Sequence, residues 1–149
     1  MSEFTVSSRL GRLRWLIVAV GVAAVAVPLS FVLWHTPPGV AAPPPSVLPF
    51  LVPIGVVIPA ISFGLGVALL VFGRKLLGSD ASPLERATLV SVWWLLANWW
   101  PHSNFHRVSS GWTNVVVIDY FFHTTVIVAS VIVAIFLLSV MRERQQRRS

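Results

Sequence analysis

The chain contains no cysteine, which excludes disulfides, thiolate metal sites, iron–sulfur clusters and covalently attached haem. Charge is scarce as well: Asp, Glu, Lys and Arg make up 11% of its 149 residues, where a water-soluble domain carries about a quarter. The two methionines, Met1 and Met141, both fall at the membrane side opposite the histidines discussed below, which argues against a thioether site for copper(I) transfer. No internal repeat or soluble-domain motif is present. The serines nearest the histidines, Ser103, Ser109 and Ser110, have no nucleophile elbow around them, which argues against a nucleophilic hydrolase.

What is there is mostly apolar. Hydrophobic side chains make up 56% of the chain, with a mean hydropathy of +0.81. Four stretches of roughly 18 to 26 residues are uncharged or nearly so, the length needed to cross about 30 Å of hydrocarbon. The expected fold is therefore all-α: a polytopic membrane protein with a four-transmembrane-helix bundle, one domain over 1–149, and spans near 15–34, 50–72, 83–100 and 115–140. A basic tail over 141–149 completes it.

The formal charge of +6 and the pI near 11.6 do not point to nucleic acid once their positions are read. Arg9, Arg12 and Arg14 precede the first span, Arg74, Lys75 and Arg86 lie between the second and third, and Arg142, Arg144, Arg147 and Arg148 follow the fourth. Only Arg107, of 11 basic residues, lies on the other side. This bias predicts that both termini are cytoplasmic and that the loops near 36–50 and 101–113 face outward, as in a multi-pass protein of a bacterial-type cytoplasmic membrane. The lipid bilayer is the expected partner, the basic tail touching anionic headgroups.

The first span is bracketed by Trp15 and Trp34, roughly 28 Å apart on a helix and so near the spacing of the two interfacial belts. Ala24-Val25-Ala26 after a basic start also fits a cleaved signal peptide, although the apolar run continues beyond it. Residues 36–49, rich in proline and alanine, predict an extended, semi-rigid outer loop. The second span contains Pro53, Gly55 and Pro59. Its small-residue pairs, Ala60 with Gly64 and Ser62 with Gly66, suit close helix packing, while its prolines loosen the outer half where a ligand could enter. Ser82-Pro83-Leu84-Glu85 reads as a capping box opening the third span, which should end or kink at Pro101. Trp99, Trp100 and Trp112 are expected at the outer interface, and Trp93 and Trp94 deeper. Asn114 is a possible cap for the fourth span.

All four histidines, His35, His102, His106 and His123, fall on the outer side, and Asp119 precedes His123 by one helical turn. Ionisable groups at or inside a bilayer boundary are costly to place and mark functional sites. Asp119 and His123 project from one helix face and are expected to point into the bundle; His102 and His106 have the same spacing and, with Asn98, form one stripe if the helix survives Pro101. Imidazoles with one carboxylate suit a transition metal, copper or zinc ahead of iron, whereas calcium or magnesium would want more oxygens. Haem b, held by facing histidines, fits less well beside a carboxylate.

The resulting expectation is a metal site of His102, His106, Asp119 and His123, with His35 as an optional extra, serving metal handling or a metal-dependent oxidoreductase subunit. Three rival readings remain open at this level. The chain could be a non-catalytic accessory subunit of a larger membrane complex, or a homo-oligomer, docking through its aromatic third and small-residue second helices. Asp119 and His123 could form a proton- or quinone-linked site. The polar groups could also be structural, with Asp119 paired to Arg107 or His123.

Overall fold

The computed structural model describes residues 3–32, 44–108 and 116–148, and side chains over 13–32, 44–105 and 116–148. All regular structure among them is helical. Helix α1 spans Glu3–Val32, α2 Leu48–Val52, α3 Ile58–Phe72, α4 Pro83–Val108 and α5 Val116–Gln146. A 3-10 turn over Pro45–Val47, a π-helical turn over Pro53–Val57 and a 3-10 turn over Gly73–Leu76 join α2 and α3 into one continuous helical stretch. Three segments, Leu13–Val32, Pro45–Leu76 and Val116–Gln146, are long and apolar enough to cross a membrane, as a helical membrane protein requires.

Sequential elements pack on one another: α1 on α3, α3 on α4, and α4 on α5. Glycine makes the first two contacts possible. A Cβ at Gly64 would collide with the Ala19 carbonyl oxygen of α1, and one at Gly66 would come within 2.9 Å of the Ala97 nitrogen of α4. The two small-residue pairs therefore face two different neighbours, in keeping with the close backbone approach that small residues allow in apolar surroundings.

The π turn has an identifiable cause. Pro59 has no N–H to offer the carbonyl of Gly55, so that oxygen would be orphaned in an ordinary helix. Ser103 Oγ of α4 donates to it at 2.8 Å. Ser62 Oγ of α3 donates to the Leu96 carbonyl of α4 at 2.9 Å. These bonds fix the register of α4 against the broken helix.

Two expectations are corrected here, and the alternative left open at Pro101 is decided. Residues 45–49 are helical rather than extended, because Pro45 and Pro49 sit in first-turn positions that tolerate a missing N–H; residues 36–43 lie outside the described residues. Pro101 does not end the third helix, which runs on to Val108. Trp100 does not face headgroups: it is 8% exposed and packs with Ala26 and Ala60. Its ring stacks on Phe63 at 4.9 Å, and its Nε1 donates to Ser30 Oγ at 2.8 Å. Ser30 in turn donates to the Ala26 carbonyl, so a buried indole N–H finds the polar partner it needs. The start of α4 forms as its sequence indicates, with Glu85 N–H donating to Ser82 Oγ and Ser82 N–H to Glu85 Oε2.

Candidate metal centre

Because α4 continues through Pro101, His102 stays in helical register with Asn98 and projects toward α5. The α4–α5 seam is held by Trp94, whose Nε1 donates to Thr125 Oγ1 at 3.1 Å and whose ring stacks on Phe122 at 6.4 Å. Further along the seam, His102 meets Phe122 edge-on at 5.2 Å and His123 edge-on at 5.1 Å. Asp119 lies in the first turn of α5, where the free N–H groups of a helix start accommodate an acidic side chain.

His102, Asp119 and His123 each offer a ligand atom, and these atoms all lie within 4.8 Å of one another. Donors around a tetrahedral ion with bonds of about 2.0–2.1 Å stand roughly 3.3 Å apart. The group is thus slightly open relative to a closed coordination sphere, by a margin that small side-chain rotations cover. His123 Nδ1 stands 3.4 Å from Asp119 Oδ2 and 2.8 Å from the Asp119 carbonyl oxygen. A carbonyl only accepts, so in this shorter bond Nδ1 is the donor. Such backbone anchoring of the second ring nitrogen is the usual way a protein orients a ligating imidazole.

The two groups on α5 are not equally enclosed. The Asp119 side chain is 14% exposed and that of His123 57%. A step of four residues on a 3.6-residue helix turns by about 40°, which leaves Asp119 facing α4 and His123 at the rim of the seam. The expectation that both point inward therefore holds for Asp119 and is corrected for His123. Thr124, Ile127 and Ser130, on the His123 side, are exposed too.

Between the two helices lies a cleft of about 250 Å³ lined by Leu95, Asn98, Trp99, His102, Phe122, His123 and Val126. Only Asn98 and the two histidines are polar in this wall. Asn98 is 4% exposed, and its Oδ1 accepts no hydrogen bond. The histidine spacing alone does not select this residue; its place on the His102 stripe is readable, its burial is not.

His106 continues the same helix, but its side chain, like that of Arg107, lies outside the described residues, as do His35 and Trp112. The structure thus brings together three of the five expected donors and describes no side-chain geometry for the other two.

The chain matches no protein-family model, no curated protein and no solved structure. Its function is therefore argued from the site itself.

Proposed function

We propose that the chain is an integral membrane protein with four spans and both termini in the cytoplasm, which binds a transition-metal ion at the outer end of the α4–α5 seam. His102, Asp119 and His123 hold the ion, and His106 and His35 are further candidate donors. The observation that carries this reading is the convergence of two imidazoles and a carboxylate, from two different helices, to within 4.8 Å. A helix pair in an apolar chain gains nothing from such a cluster unless a partner neutralises its polarity.

Nitrogen donors with one oxygen favour copper or zinc ahead of iron. The His102 and His123 rings, 5.1 Å apart between centroids, suit one small ion better than a porphyrin plane between two axial ligands, so haem b ranks below a bare ion. Three donors and a half-exposed His123 leave room for an exogenous ligand, the arrangement that separates reactive metal sites from closed structural ones. A bound ion would supply Lewis acidity or, for copper and iron, electron transfer. The chain thus suits metal handling or an oxidoreductase subunit. Self-association or membership of a larger complex is part of the same proposal, since Ala129 is the only buried residue of α5.

The test is elemental analysis and metal titration of detergent-purified protein offered copper, zinc and iron separately. Near-stoichiometric binding of one ion, lost in His102→Ala and in His123→Ala, is the expected result. No binding by wild type, or binding unchanged in both variants, overturns the proposal.

A further inference from the structure

The end of the bundle opposite the histidines carries a charge pattern that the metal site does not use. Helices α1 and α3 run antiparallel, with backbones close together at Ala19 and Gly64, so the start of the first span lies beside the end of the second. Trp15 meets Phe72 there at 5.7 Å between ring centroids. Next to this aromatic pair come three exposed cations from two elements, Arg14 of α1 and Arg74 and Lys75 of the turn Gly73–Leu76. The turn is held in place at its buried Gly73, where a Cβ would come within 3.3 Å of the Leu89 side chain of α4. Its backbone therefore lies against the bundle while its two basic side chains remain open to the surroundings.

Among the described residues none of the three cations is paired with an acid. The acids that follow in sequence are engaged locally: Asp80 accepts from Ser79 Oγ, and Glu85 from the Ser82 N–H. Like charges gathered from two elements repel one another, and an anion placed among them relieves the repulsion. The neighbouring side chains select the kind of anion. Leu16, Val71 and Leu76 are apolar and exposed, and Trp15 is an aromatic of the type that settles at headgroup level. A free phosphate would use the cations alone, whereas a phospholipid uses both, its phosphate on the cations and its acyl chains along the apolar flank. We infer that this corner of α1 and α3 binds an anionic phospholipid, with the headgroup phosphate held by Arg14, Arg74 and Lys75. The basic tail differs in kind. Arg142, Arg144, Arg147 and Arg148 follow one another along a single exposed chain end with Glu143 among them, an arrangement suited to diffuse attraction to an anionic surface.

The corner is independent of the metal site and rests only on the chain lying in a bilayer. The experiment counts lipid adducts by native mass spectrometry of delipidated protein in a non-ionic detergent, offered phosphatidylglycerol and phosphatidylcholine of matched acyl chains. Wild type should hold phosphatidylglycerol about ten-fold more tightly. The triple variant Arg14→Gln, Arg74→Gln, Lys75→Gln should lose that preference, and the charge-matched tail variant Arg144→Gln, Arg147→Gln, Arg148→Gln should keep it. The single variants Arg14→Gln and Arg74→Gln, each expected to give up part of the preference, carry the test should the triple variant not fold. No preference in wild type, a preference that survives in the corner variants, or an equal loss in the tail variant overturns the inference. Excess inorganic phosphate should leave the phosphatidylglycerol adduct in place; displacement by phosphate alone overturns the assignment to a lipid. Because binding is read in detergent, neither a reversed orientation of the chain nor a failure to take up metal would alter the expected preference.

Discussion

At the residue scale, the candidate site depends on a division of labour between two side chains one turn apart on α5. Asp119 is turned toward α4, and His123 is anchored at the rim by its bond to the Asp119 carbonyl. Asp119→Asn keeps the shape and the acceptor oxygen but removes the charge. Metal affinity should fall by about 10- to 100-fold, measured by competitive titration, while the thermal midpoint of the metal-free protein stays close to wild type. Acidification should release the ion reversibly, because imidazole binds metal only when neutral; equilibrium dialysis across a pH series reads this directly. Ser103→Ala removes the hydroxyl donor to the Gly55 carbonyl and should destabilise the fold by about 1–2 kcal/mol without changing metal stoichiometry. The spacing of Asp119, His123 and His102 made these residues visible in the sequence, since ionisable groups stand out in an apolar chain. Asn98 and Ser103 were not visible as partners, because nothing in a single residue's type tells whether its carbonyl or hydroxyl will be enclosed.

At the element scale, the broken second helix is the scaffold on which α1 and α4 are aligned. Its two glycine contacts give a paired expectation. Gly64→Ala places a methyl group against the Ala19 carbonyl and should lower the thermal midpoint markedly, by about 1–3 kcal/mol in stability or more. Gly21→Ala, where a Cβ meets nothing within 4 Å, should leave stability unchanged or raise it. Thermal unfolding followed by circular dichroism in one detergent distinguishes them. The long apolar runs made the helical character legible and the Ser82–Glu85 box the start of α4, because length and capping are local properties. Pro101 was ambiguous for a physical reason: a proline is compatible with either a helix end or a continued helix, and the packing of Trp100 against Ala26 and Ala60 comes from parts of the chain far apart in sequence. The same long-range packing drew Trp100 away from the interface that its neighbours in sequence suggested.

At the scale of the whole molecule, the distribution of arginine and lysine carries the topology proposal, and the lack of native cysteine makes it easy to test. Ser46→Cys, in the exposed turn before α2, should react with a membrane-impermeant thiol reagent in intact cells. Ser79→Cys, in the exposed connection before α4, should react only after the membrane is opened. Labelling of the second residue in intact cells would reverse the assigned orientation. The arrangement of helices has a further consequence. Helix α5 has Ala129 as its only buried residue, and among the described residues it packs mainly on α4. An ion shared between His102 of α4 and His123 of α5 would therefore act as a clasp across a weakly held seam. Loading the site and keeping the last helix attached become a single equilibrium, so metal depletion should expose that helix to proteases before the rest of the bundle loosens.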